Sequence, residues 1–282
     1  MAAAEKEIVY GRIPVPTWRW LGVNEVRVSE EVLQETPAAR LVTIPAGETR
    51  ELTVVTRDEA VSELHVEIGA GAELRLIRAR LASDGTQCAD KVKVALAENA
   101  RIVYTAVNLG GARIADLLDV DLVGDGSSAD VVALYYADGQ QKIDMNYIAR
   151  QRGKNTDASL DVQGGLAGRA EKIFRGTLDF VRGTVGSVGR ERESVTLLSP
   201  NVVNRSAPLM LSGEAEVDGR HATSVGRLDE EKLYYLTSRG LSEADARRLV
   251  ILAAAAPVLE RVTDAALADE IRTFIERRLS DG

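Results

Sequence analysis

Cysteine is nearly missing from this chain: Cys88 is the only one, so no intrachain disulfide can form. A reducing compartment, the cytoplasm, is the expected setting. Proline is absent from Ala46 to Ser199, so few strands in that stretch are marked as edges. Aromatic residues make up only 4% of the 282 residues, which counts mildly against an immunoglobulin-like sandwich. Basic charge is not in excess; the net charge of −8 argues against a broad phosphate-binding surface and therefore against nucleic acid as a partner. The longest apolar run, Leu249 to Leu259, is too short to span a bilayer and contains Pro257, and Met1 to Tyr10 lacks the apolar stretch of a signal peptide. No membrane association is expected.

What the chain does have is strand-type alternation. From about Glu51 to Asp218, apolar residues recur with period two: Leu64, Val66 and Ile68; Val92, Val94 and Leu96; Ile102, Tyr104 and Ala106; Leu118, Val120 and Leu122; Leu160 and Val162. In each segment one face reads as buried and the other as charged. Small-residue corners such as Gly69-Ala70-Gly71-Ala72, Glu98-Asn99-Ala100 and Gly124-Asp125-Gly126 separate them. Many short strands can form a sandwich, a barrel or a solenoid. The similar corners and aliphatic composition put the solenoid only somewhat ahead of a two-sheet sandwich.

Past His221 the pattern turns helical. Asp229 can cap a helix from Glu230 to about Arg239, ended by Gly240. Ser242 caps a second, with Asp245 in a capping-box-like position, and Pro257 marks a break or kink; Thr263 opens a third. The division expected is a segment over 1–45 packed on the body, a β core over 46–222 and a helical domain over 223–282. Trp18 and Trp20 are expected to tack the first segment down by local packing.

Catalytic motifs are lacking. The run Gly183 to Gly189 has no Gly-Lys-Ser/Thr ending and reads as a turn, and no Gly-x-Ser-x-Gly or His-Glu-x-x-His is present. A carbohydrate-active solenoid enzyme would need a carboxylate cluster on one sheet face; acidic residues alternating on strands read instead as solvated faces. His65 reads as a surface strand residue, His221 alone as a structural or exposed histidine, and Cys88 as an incidental thiol in a turn. An iron–sulfur cluster usually takes four thiolate or imidazole ligands, and one cysteine and two histidines cannot supply them. Any such cluster would have to share ligands with a partner.

Several segments together resemble the SufB/SufD family of iron–sulfur cluster assembly proteins. They are Phe174-Arg175-Gly176-Thr177-Leu178, then Glu193 to Ser199, Pro208 to Leu211 and Val217 to Gly226, which contains His221. The densest stretch follows, Leu228 to Leu236 and Ser238 to Ala246. The resemblance implies a mainly β chain, a right-handed parallel β-helix followed by a small C-terminal helical domain. It further implies a SufD-like, non-catalytic scaffold working with the ABC-type ATPase SufC and with a SufB-like or identical chain as a dimer. His221 matches the family's histidine at the interface between the two β-helices, where a transient cluster would bind, with no cofactor in the isolated chain. Tyr234, Tyr235 and Arg239 are the contacts expected for the ATPase. SufB-type members carry a cysteine in the strand before the family's proline, and Thr196 to Pro208 contains none. A self-associating β-helix that has lost cluster chemistry is the alternative.

Overall fold

The computed structural model describes residues 6–34, 36–227 and 230–280. Its body is a parallel β-helix of two facing seven-stranded sheets. Sheet I contains β3 (Arg40–Ile44), β5 (Val61–Ile68), β7 (Gln87–Leu96), β9 (Arg113–Leu122), β11 (Lys142–Gln151), β13 (Glu171–Phe180) and β15 (Val203–Ser212). Sheet II contains β4 (Thr49–Thr56), β6 (Glu73–Ala82), β8 (Arg101–Gly110), β10 (Ser128–Ala137), β12 (Asp157–Leu166), β14 (Val188–Leu197) and β16 (Asp218–Arg227). The chain alternates between sheets, so each strand pairs with the one a full turn later, in unbroken parallel register. The solenoid reading therefore holds over the sandwich.

In-register stacking produces columns of inward side chains. One runs Leu76, Tyr104, Val131, Leu160 along sheet II and another Val66, Val94, Val120, Ala149, Leu178 along sheet I, all in a single apolar core. The corners are tight. At Gly124 an added Cβ would lie 2.0 Å from the backbone nitrogen of Glu98 in the preceding turn, so stacked corners here require glycine.

Two faces depart from the one-sided burial read in the sequence. On the outer face of sheet II, Ile77, Ala79, Val107, Leu109, Val132 and Leu134 pack against Ile251, Ala255, Val258, Ile271 and Ile275 of the C-terminal helices. Strands β6, β8 and β10 are thus buried on both sides. The helices are α2 (Glu230–Ser238), α3 (Glu243–Leu259) and α4 (Ala265–Ser280). Ser242 Oγ accepts from the Asp245 backbone N–H at 3.1 Å and donates to Asp245 Oδ2 at 2.6 Å, so Ser242 is the expected cap, with the Asp245 carboxylate bonding its hydroxyl and not its backbone N–H. The third helix begins at Ala265, two residues after Thr263, and Asp264 caps it, its Oδ1 accepting from the N–H groups of Ala266 and Leu267. Pro257 sits in the last turn of α3 without breaking it. The expected cap Asp229 lies outside the described residues. No helix among them is long and apolar enough to cross a membrane.

On the outer face of sheet I lies an antiparallel hairpin, β1 (Glu7–Arg12) and β2 (Glu25–Ser29), followed by the short helix α1 (Glu30–Leu33). Val26, Val28 and Val32 pack on Val61, Ala89, Ala115 and Leu117. Trp18 and Trp20 do not tack this segment down; they are 73% and 79% exposed. Fully buried Arg175 does so instead, donating to the carbonyls of Val23 and Glu25 while paired with Asp144. A guanidinium carries five donors in a fixed fork, enough to satisfy both carbonyls and the carboxylate at once.

The interior also holds charge. Arg78 Nη2 donates to Asp116 Oδ2 at 2.5 Å and Asn108 Oδ1 at 2.8 Å, its Nε to Tyr104 Oη at 3.1 Å. Arg80 grips Asp90 with two bonds, at 2.6 and 2.9 Å. Tyr147 Oη completes the set by donating to Asp116 Oδ2 at 2.5 Å. Removing one partner of such a buried pair strands the other charge, which costs about 3–5 kcal/mol, against at most about 1 kcal/mol for an exposed pair. Asp116→Ala is expected to lower unfolding stability by about 3–5 kcal/mol, and Asp119→Ala, whose pair with Arg150 reaches solvent, by less than about 1 kcal/mol. Urea unfolding of the two variants measures this; equal losses would show that the interior network is not the stronger.

Candidate functional site: the open end of the solenoid

Among the described residues, sheet order leaves β15 and β16 without a neighbouring strand on their outer edges, as it does β3 and β4 at the opposite end. In β16, every residue from Arg220 to Arg227 is exposed, including those in inward columns. Register assigns those columns: Gly219, His221, Thr223 and Val225 stand over Gly189, Glu191, Glu193 and Val195 of β14. Opposite them, Ser206, Pro208 and Met210 of β15 stand over Phe174, Gly176 and Leu178 of β13. The mouth is thus the bare cross-section of the core.

Chemistry changes along these columns near the mouth. The column Leu76, Tyr104, Val131, Leu160 continues with Glu191 and ends on His221. The next runs Ala133, Val162, Glu193, Thr223. Glu193 is fully buried and ion-paired with equally buried Lys172, which also donates to Ser206 Oγ at 3.2 Å and lies 5.9 Å from the ring centres of Tyr135 and Phe174. Glu191 is 4% exposed. Its carboxyl carbon lies 2.5 Å from where a Cβ on Gly176 would be, so the glycine of the Phe-Arg-Gly segment leaves the space that this side chain fills. Burial foremost, then the nearby charge of Glu193, pushes the Glu191 carboxyl up to about 8, with Lys172 opposing. Burial likewise pulls the Lys172 amine down, against the pull of Glu193.

His221 is exposed, with Nε2 3.3 Å from Thr223 Oγ1. It lies inside the last strand, not past its end. Tyr234 and Tyr235 on α2 are 75% and 56% exposed, and the Arg239 guanidinium stacks 5.1 Å over the Tyr235 ring. The structure therefore brings His221 into register with Glu191, and Tyr235 together with Arg239. His65 is elsewhere, on the outer face of β5, 2.9 Å from Glu63 Oε1. Cys88 is not in a turn but in β7, buried against Ala82 and Ile114, and burial raises its thiol to about 11. The glycine run forms the corner between β13 and β14, with Gly183 and Gly186 at φ of +100° and +75°. Among the described residues no three His, Cys, Asp or Glu side chains converge as a metal site.

Glu191, Glu193 and Lys172 were missed by the sequence reading because Arg190-Glu191-Arg192-Glu193 looks like a solvated strand. The phase of Val195 in the core carried the signal: residues two and four before it must also point inward. Because the folded carboxyl titrates higher than an ordinary glutamate, its contribution is fully present below the ordinary value of 4.5 and is lost as pH rises toward about 8. Glu191→Gln is accordingly expected to gain thermal stability relative to the wild type as pH is raised across that range, with the gap constant above it. A pH-independent gap in melting temperature would contradict the burial argument.

Residues 29–254 match the family described as SUF system FeS cluster assembly, SufBD core domain. The chain is 30% identical to the iron–sulfur cluster assembly protein SufD of Bacillus subtilis over 159 residues, 56% of this chain and 36% of that protein. It is 25% identical to an iron–sulfur cluster assembly SufBD family protein of Mycobacterium leprae over 193 residues, 66% of this chain and 49% of the other. With Escherichia coli SufD the identity is 24% over 188 residues, 66% and 44% of the two chains. The matched region spans half or less of each of these relatives. The family match over residues 29–254 takes in both sheets from β3 onward, His221, the Phe-Arg-Gly segment and most of α3, and on that coverage the chain belongs to the SufBD family.

Proposed function

We propose that this chain is a non-catalytic scaffold subunit of a SUF-type iron–sulfur cluster assembly complex. Its open mouth faces a second SufB/SufD-type chain, and a transient cluster, the cargo of the complex, is held between them with His221 as one ligand. The observation that carries this reading is the bare last turn. Unpaired strand edges and core-phase side chains are exposed there, a surface that solenoids cover with a cap or a partner. The scarcity of thiolates and imidazoles supports sharing, since four ligands are the usual requirement. Buried Cys88, with its raised thiol, is poorly suited to contribute.

Helix α2 is the surface proposed for an ABC-type ATPase, SufC in the family's terms. Tyr234 and Tyr235 on this short helix and Arg239 in the turn after it present two exposed rings and a guanidinium side by side, the residue types that anchor interfaces. The cytoplasm is the proposed compartment.

Three outcomes test the reading. The chain purified alone is expected to be colourless; stoichiometric iron and sulfide with cluster absorption would contradict shared ligation. In a complex co-expressed with a SufB-like chain and the ATPase, His221→Ala is expected to abolish cluster formation while assembly and melting temperature are kept. Normal cluster formation by that variant would leave His221 a structural residue, and assembly that never yields a cluster would favour a self-associating β-helix without cluster chemistry. Tyr235→Ala with Arg239→Ala is expected to weaken ATPase binding by about 2 kcal/mol or more, roughly 30-fold, in a calorimetric titration.

A further inference from the structure

We propose that Glu191 is a second metal ligand beneath His221, so that a carboxylate and an imidazole from successive turns form this chain's half of a divalent iron site at the mouth. The inference rests on the reading above, in which the mouth faces a partner. Four observations bear on it. First, Glu191 and His221 are direct register partners in the same inward column. Parallel strands stack about 4.8 Å apart, so side chains on successive rungs of one column can reach a common ion, whose ligand atoms lie about 2.1 Å from it.

Second, Glu191 is only 4% exposed, and its carboxyl makes no hydrogen bond or ion pair with the described residues, with Lys172 acting on it only at longer range. A buried carboxylate without a cation is costly, and natural interiors pair such groups or give them to metals. The neighbouring Glu193 is directly ion-paired with Lys172, whereas Glu191 feels that charge without a direct pair. Third, the space that the carboxyl occupies is vacated by Gly176, where any Cβ would collide with it. Fourth, every earlier rung of that column, Leu52, Leu76, Tyr104, Val131 and Leu160, is apolar or aromatic and packs in or against the hydrophobic core, and a carboxylate enters only directly under the histidine.

Imidazole nitrogen with carboxylate oxygen suits ferrous iron and similar divalent ions better than soft cuprous copper. Thr223 Oγ1, 3.3 Å from His221 Nε2, can hold the ring in place, and Glu193 Oε2, in the adjacent inward column, is buried and unpartnered. These groups do not converge on a point in the free chain, so the remaining ligands come from the partner surface.

The test uses cobalt(II) as a spectroscopic probe for ferrous iron, titrated into the full-length chain with and without a SufB-like partner. Wild type is expected to develop a cobalt absorption band, stronger with the partner. Glu191→Gln and His221→Ala are each expected to weaken binding at least tenfold, and the double variant no further, as two ligands to one ion require. Glu67→Gln, on the outer face of sheet I, serves as the control and is expected to bind like the wild type. If His221→Ala loses the ion and Glu191→Gln does not, the Glu191 assignment is wrong and the role of His221 survives. If neither variant changes binding, or the wild type binds no cobalt in either form, both fail. Circular dichroism of each variant separates lost ligation from lost folding.

Discussion

In a parallel solenoid each residue sits over its counterpart one turn earlier, about 4.8 Å away, and the cross-section it must fill hardly changes. A side chain that is too large in one rung must be answered by a small one beside it. Tyr135 is answered in this way by Gly164, whose Cβ position lies 2.5 Å from three atoms of the phenol ring. Glu191 is answered by Gly176 across the core. The same spacing governs the charges: Arg78 and Asp116 come from different sheets and different turns, yet rung stacking brings them to 2.5 Å. Column register is therefore the constraint on which the core, the interior ion pairs and the mouth all depend.

Much of this was legible in period two. Leu64, Val66 and Ile68, like Val92, Val94 and Leu96, face the core as their alternation predicts. The small-residue corners fall at the bends, and Ser242 with Asp245 caps its helix. Illegible were the features that depend on what lies over a strand's outer face. Residues such as Ile77 and Val132 become core only because the C-terminal helices cover them; the unbroken apolar run Val131 to Ala137 is the mark of that two-sided burial, which a search for alternation passes over. Trp18 and Trp20 misled for the opposite reason, since their hydrophobicity suggested burial while Arg175 does the anchoring through carbonyls that a sequence cannot display. At the mouth, charge hid phase. Glu191 and Glu193 follow the inward parity of Val195, but a run of alternating signs resembles a solvated face.

Two of the molecule's faces are closed in different ways. Sheet II gains a helical layer with a continuous aliphatic contact, and sheet I a hairpin held by one buried guanidinium as well as by valines. Neither covering reaches across the last turn in a way that hides β16, whose residues stay exposed from Arg220 onward. Exposure of core-phase residues is unfavourable in proportion to their apolar area, and Val225 at 46% exposure and Met210 at 43% add such area to the rim. The last turn thus leaves core columns ending in water, whereas at the opposite end they close on Val42, Leu52 and Val54, which are partly buried.

The segment Phe174-Arg175-Gly176 connects these parts. Because successive strand residues point to opposite faces, Phe174 enters the core, Arg175 leaves toward the N-terminal hairpin and Gly176 returns to the interior. Phe174 meets the Tyr147 ring edge-on at 5.8 Å, next to the Asp116 network to which Tyr147 donates. Arg175 fixes Val23 and Glu25 of the N-terminal segment. Gly176 leaves room for Glu191 under the mouth. Three adjacent residues on β13 therefore set core packing, arm attachment and the geometry beneath His221, and their order cannot be permuted. Moving the glycine one place would put a Cβ into the Glu191 carboxyl and expel the guanidinium from the carbonyls it satisfies.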